Sequence, residues 1–187
     1  MEPLSVSSLL SLDEKLFLAI NHAPHTPIAN IIALTLSGIG QWGLVWILIA
    51  AVLFIREEKR DRWFFLPSVV TLALSASLSD LVLKFFIARP RPSEIIGAII
   101  LTNPGNSSFP STHATLAFAM AYVLSHVEPA LTKWFYVLAV CISLSRIYLG
   151  VHYPLDIVGG MILGTAIGWV SVKVERLFYR NTPDVQN

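Results

Sequence analysis

The sequence predicts an all-α fold, a polytopic membrane helical bundle of five or six transmembrane helices with an additional N-terminal interfacial helix. Composition is the first observation behind this. Of 187 residues, 55% are hydrophobic and only 13% charged, with a mean hydropathy of +0.66. A soluble domain carries roughly a quarter charged residues, and half that share cannot clothe an aqueous surface without large apolar patches. Patterning is the second: the apolar residues fall in continuous runs, and only helices or closed barrels satisfy their backbone groups in hydrocarbon. No repeat, low-complexity tract or linker divides the chain, so residues 1–187 read as one membrane-embedded domain. The net charge of +1 argues against nucleic acid, whose binding needs an excess of Lys and Arg. No obligate protein partner is evident.

The elements follow in order. The first twenty residues lack the basic start and unbroken apolar stretch of a cleavable signal, because Asp13, Glu14 and Lys15 interrupt them, so the N-terminus is expected to be retained. Residues 12–22 have the mixed character of an interfacial amphipathic helix. Residues 27–38 are apolar but short for a crossing, and read either as a sixth span or as part of a re-entrant pair. Residues 40–55, 64–88, 112–127, 131–149 and 154–178 each read as a span, at about 20 residues per crossing. Arg56, Lys59, Arg60 and Arg62 mark the loop between the first two of these five as cytoplasmic by the positive-inside rule. Lys133, Lys173, Arg176 and Arg180 then fall inside as well. Lys84, the 88–111 loop, His113 and the 145–156 turn collect on the outer side.

The ionisable residues at that outer face need partners or a function, since charge near a helix centre costs about 2.5–3.5 kcal/mol. Lys84, Arg91 and Arg146 together describe an anion site whose donors suit phosphate oxygens. Ser111 or Thr112 can cap the helix that follows, whose first backbone N–H groups form a phosphate cradle. His113 in its first turn can donate a proton to a leaving oxygen. His152 and Asp156 stand four residues apart around Pro154, and a carboxylate on one ring nitrogen raises the basicity of the other, which makes a nucleophile toward phosphorus.

Three segments match an ordered signature. Lys84, six residues, then Arg91-Pro92 is the first; Pro110-Ser111-Thr112-His113 is the second; Ser145-Arg146, five residues, His152, three residues, Asp156 is the third. Together, over about residues 40–175, they resemble the type 2 phosphatidic acid phosphatase family of membrane lipid phosphatases. The resemblance implies a metal-independent phosphatase with no cofactor, in which His152 forms a phosphohistidine, Asp156 orients it and His113 protonates the leaving oxygen. It implies Lys84, Arg91, Ser111, Thr112 and Arg146 as phosphate ligands. The one departure is Thr112, where the family has glycine; threonine resists the positive φ and close ligand approach that glycine allows.

The expected partners are the bilayer and a lipid phosphate such as phosphatidic acid, phosphatidylglycerophosphate, undecaprenyl pyrophosphate or a lipid A phosphate. The expected location is a bacterial inner membrane with the site facing the periplasm. A lipid phosphotransferase would use the same residues with another acceptor. A binding or transport protein would need the cations but not the histidines and Asp156. A metal site at His113, His152 and Asp156 is opposed by the three neighbouring cations. The superfamily resemblance extends to vanadium haloperoxidases, but those are soluble.

Outside the signature, Asp80 shares a helical face with Lys84 and is expected to neutralise or place it. Arg89 is expected to attract anionic head groups. His22, His25 and His126 read as interfacial or packing residues, and Cys141 as core filler. Gly159, Gly160, Gly164 and Gly168 read as a close-packing stripe.

Overall fold

The computed structural model describes residues 6–56, 65–94, 97–102 and 107–180, and among these there is no strand. Eight α-helices run in the order α1 Val6–Asn21, α2 Pro27–Gly40, α3 Leu44–Arg56, α4 Leu66–Ala76, α5 Lys84–Ile87, α6 Thr112–Val127, α7 Thr132–Tyr148 and α8 Pro154–Arg180. Four stretches are long and apolar enough to cross a membrane: Pro27–Arg56, Leu66–Ile87, Pro129–Tyr148 and Pro154–Leu177. The chain is an integral membrane helical protein. The basic positions Lys59, Arg60 and Arg62 lie outside the described residues, as does the side chain of Arg180.

The expected alternatives for residues 27–38 resolve into one broken helix. α2 and α3 belong to a single 30-residue candidate span, interrupted where Trp42 (φ 55°) and Gly43 (φ 72°) both enter the left-handed region. α2 packs along α7 and α3 along α6. The break has a reason in the sequence: Gly43 takes its positive φ without steric cost and leaves room for the Leu116 and Leu72 side-chain ends, which a Cβ would meet at 2.8 Å and 2.9 Å.

α6 is the centre of the bundle. It packs against α2, α3, α4, α7 and α8, and ten of its 16 residues are buried. Its alanines let neighbours approach, and α8 answers with glycine. A Cβ on Gly160 would meet Ser111 O at 2.8 Å and one on Gly168 would meet Ala119 O at 2.8 Å, while at Gly164 it would collide with Thr115 O. The glycine stripe therefore presses backbone onto backbone, where dispersion substitutes for the hydrophobic drive that lipid does not supply. A buried hydrogen bond from Thr71 Oγ1 to Ser171 Oγ (2.9 Å) ties α4 to α8.

α1 lies across the ends of α7 and α8. Phe17 is buried with Ile147 and Tyr153. Asn21, wholly buried, donates to Ile99 O (2.8 Å) and Tyr148 O (3.0 Å) and accepts from Ile99 N–H (2.7 Å). Leu12 and Leu16 remain exposed away from that buried side, leaving apolar surface of the kind an interfacial helix presents. His25 stacks on Tyr148 and His126 contacts Tyr122, which makes both packing residues. Cys141 is only partly buried.

Candidate functional site

One end of the bundle gathers the C-terminal end of α7, the N-terminal ends of α6 and α8, and the segments after α5. There a cavity of about 180 Å³ is lined by Gly40, Gln41, Trp42, Ala76, Asp80, Lys84, Arg91, Thr112, His113, Leu116, Arg146 and His152. Six of the eight residues singled out from the sequence line it: Lys84, Arg91, Thr112, His113, Arg146 and His152.

The other two stand behind its wall. Ser111 is fully buried, its Oγ accepts from Ala114 N–H at 3.4 Å as the α6 cap, and its N–H donates to Asp156 O (3.1 Å). Its side chain caps the helix start, and it is not among the residues that line the cavity. Asp156 is fully buried behind His152.

The turn that delivers His152 is built residue by residue. α7 ends at Tyr148, and Gly150 reverses the chain at φ 81° where a Cβ would strike Ile99 O. Val151 N–H then donates to Arg146 O (3.1 Å). Pro154 opens α8, and Asp156 Oδ2 accepts from Tyr153 N–H (2.9 Å), the reach-back of a capping box. The same Oδ2 stands 3.5 Å from His152 Nδ1, longer than a hydrogen bond, and Nδ1 has no hydrogen-bond partner among the described residues. The other ring nitrogen, Nε2, lies 3.5 Å from Arg91 Nη1. Burial pushes the imidazole down to about 4, with Arg91 and Arg146 adding to the effect and Asp156 opposing it, so His152 is neutral near pH 7.

The cations are anchored at different strengths. Arg91 donates to Val151 O (2.7 Å) and Ser107 O (2.9 Å), which fixes its fork beside His152. Arg146 donates to Ser37 Oγ, and its Nε is buried without a hydrogen-bond partner among the described residues, a donor suited to an anion oxygen. Lys84 donates to Asp80 Oδ1 (2.5 Å) and Thr112 Oγ1 (2.8 Å), and Thr112 in turn donates to Asp80 Oδ1 (2.7 Å). Asp80 thus places Lys84, as its spacing predicted. It lies in a π-helical segment, Ser77–Leu83, a distortion frequent at functional sites.

Arg89 corrects the sequence reading. Far from being a steering charge for head groups, it donates to Asp156 Oδ1 (2.7 Å) and Asp13 Oδ2 (2.6 Å) and lies over the Tyr153 ring at 4.1 Å. Reasoning from sequence also missed Ser37, Gly40, Gln41 and Trp42. The glycines at 38, 40 and 43 were the available sign of a helix break, but nothing local tied that break to the site.

A family model described as the PAP2 superfamily matches residues 64–180. The chain belongs to the PAP2 superfamily. Among its PAP2-type relatives, an undecaprenyl-diphosphatase of Sulfolobus acidocaldarius is 35% identical over 137 residues, covering 70% of this chain and 64% of the relative. The chain thus spans a little under two thirds of that protein's length. Two crystal structures align over most of both chains. Aquifex aeolicus LpxE does so with a TM-score of 0.71 at 32% identity, covering 87% of this chain and 95% of its own. A transmembrane PAP2-type phosphatidylglycerolphosphate phosphatase from Bacillus subtilis does so with a TM-score of 0.73 at 26% identity, covering 96% and 92%. All three motifs of the PAP2 signature fall inside the matched segment, whereas α1, α2 and α3 lie before it.

Proposed function

We propose that this single-domain protein is a membrane lipid phosphatase that hydrolyses a phosphate mono- or diphosphate ester of a lipid through a phosphohistidine. The observation that carries the reading is His152, with Nε2 toward the cavity beside Arg91 and Nδ1 toward Asp156. His152 Nε2 attacks phosphorus, the bond from phosphorus to the lipid oxygen breaks, and His113 gives its proton to that oxygen. Water then attacks the phosphohistidine, His113 takes the water's proton, and the N–P bond breaks to free phosphate. Lys84, Arg91, Thr112 and Arg146 bind the phosphate and offset the charge spread over its oxygens in the transition state, while Ser111 holds the α6 start in place. Three cations in one small cavity disfavour a divalent metal there, which supports a metal-independent reaction. The relatives' names point to isoprenyl diphosphates and phosphatidylglycerophosphate as substrates, alongside phosphatidic acid and lipid A phosphates. The proposed location is a bacterial inner membrane with the cavity facing the periplasm.

The test is phosphate release by the purified protein in detergent with excess EDTA, from phospholipid, isoprenyl and lipid A phosphates, beside His152→Ala. Release that survives EDTA and is lost in the variant is expected. Normal turnover by His152→Ala sinks the mechanism, and loss of wild-type release in EDTA sinks metal independence.

A further inference from the structure

The PAP2 signature accounts for Asp156 and His152 but not for what holds the far side of the Asp156 carboxylate. That side is occupied. Arg89 places one guanidinium nitrogen on Asp156 Oδ1 (2.7 Å) and another on Asp13 Oδ2 (2.6 Å). Asp13 comes from α1, outside the matched segment, and its side chain is 1% exposed. Its second oxygen accepts from Leu155 N–H (2.8 Å), one of the free donors at the start of α8. Asp13 therefore grips both the arginine that holds Asp156 and the backbone beside it.

Burying a carboxylate is costly unless it is paired and hydrogen-bonded, and Asp13 is paired with Arg89. The charge has a use here. Arg89 alone would cancel the negative charge of Asp156, and a neutral pair would do little for the imidazole beside it. With Asp13 added, the three groups together carry one negative charge.

We infer that Asp13 is a positioning residue for His152: through Arg89 it fixes the Asp156 carboxylate, and by cancelling the Arg89 charge it leaves that carboxylate's charge to act on the ring. This rests on the reading of His152 as nucleophile. The groups facing His152 are Asp156 from α8, Arg91 from the segment after α5, Arg146 from α7 and His113 from α6, with Lys84 and Asp80 further along the wall. Those facing Arg89 are Asp13, Asp156 and the Tyr153 ring, with Glu14 acting on Tyr153 from α1. Burial works against the Arg89 charge, yet the two carboxylates hold its pKa above the ordinary value, so Arg89 stays charged between them.

The experiment compares Asp13→Asn, Asp13→Asn with Arg89→Gln, and the wild type, all full-length in detergent. The readouts are the pH profile of kcat/KM and the titration of His152 by ¹⁵N-histidine NMR, assigned from the signal lost in His152→Gln. Asp13→Asn should move the His152 titration and the acid limb to lower pH by about one unit. It should also lower kcat about tenfold or more with KM within about twofold. The double variant, which restores one negative charge, should bring the titration back toward the wild type and recover part of kcat.

An unmoved titration in Asp13→Asn overturns the proposal, as does a double variant whose losses simply add. If Asp13→Asn alone does not fold, Arg89→Gln takes its place: it should raise the His152 titration above the wild type by more than about half a unit and the double variant should bring it back, whereas a wild-type titration in both overturns the charge-cancelling role. A wild type inactive on every lipid would count against the phosphatase reading alone, because the NMR titration reports the Asp13 effect without turnover.

Discussion

His152 is buried between the Asp156 carboxylate, 3.5 Å from Nδ1, and the Arg91 guanidinium, 3.5 Å from Nε2, and its proton affinity follows from that setting. With its pKa held near 4, against an ordinary value of about 6.5, the ring is neutral at neutral pH, the form that the proposed attack requires. The unfolded chain binds the proton more readily between those two values, so stability rises with pH across that window. Acidification from about pH 6.5 to 4 should therefore cost about 3 kcal/mol. Thermal unfolding in detergent across that range should show a steeper acid loss in the wild type than in His152→Gln.

At the same scale, Asp80 holds the Lys84 ammonium that is proposed to bind phosphate. Asp80→Asn removes an anion from the cavity wall and should tighten inhibition by inorganic phosphate several-fold, read as a lowered Ki; weaker inhibition would show that Asp80 is needed to aim Lys84. Most of this site was legible because the signature fixes spacing: Lys84 to Arg91 and His152 to Asp156 are local geometry. Asp13, Ser37 and Trp42 were not legible, because only the tertiary fold brings them to residues tens of positions away.

Among the elements, the contact of α6 with α8 carries the sharpest expectation. At Gly164 the atom in the way is Thr115 backbone oxygen, which no rotamer change can clear. Gly164→Val should destabilise by about 1–3 kcal/mol and lower the Tm in detergent. Gly38→Ala is the counterpart, since a Cβ there meets nothing within 4 Å and alanine favours helix by about 0.5–1 kcal/mol; its Tm should not fall. The stripe itself was readable from glycine spacing. The joining of residues 27–38 and 40–55 into one broken helix was not, because hydropathy measures length and apolarity but not the left-handed step at Trp42.

For the whole molecule, orientation is the open consequence. The turn carrying Pro92–Glu94 and the one carrying Pro129–Leu131 lie at opposite ends of α6. With Cys141 replaced by alanine, Ser93→Cys should react with an impermeant maleimide from the periplasm, and Ala130→Cys only after the inner membrane is opened. The reverse pattern would turn the proposed orientation over. The membrane class and the gathering of charged residues at one end of the bundle were readable from composition and from where the charges fall between apolar runs, which act on the chain as a whole.

Backbone contact between α6 and α8 makes these two helices a single stiff spine. It carries His113, Thr112 and Asp156 in fixed relation, with His152 just before it. Lys84 and Ser37 ride on other helices, one beyond a π-helical turn and the other just before the break at Trp42. Any breathing of the cavity would therefore divide along that line, with the groups proposed to make and break bonds kept in register by the spine and Lys84 and Ser37 set on the elements around it.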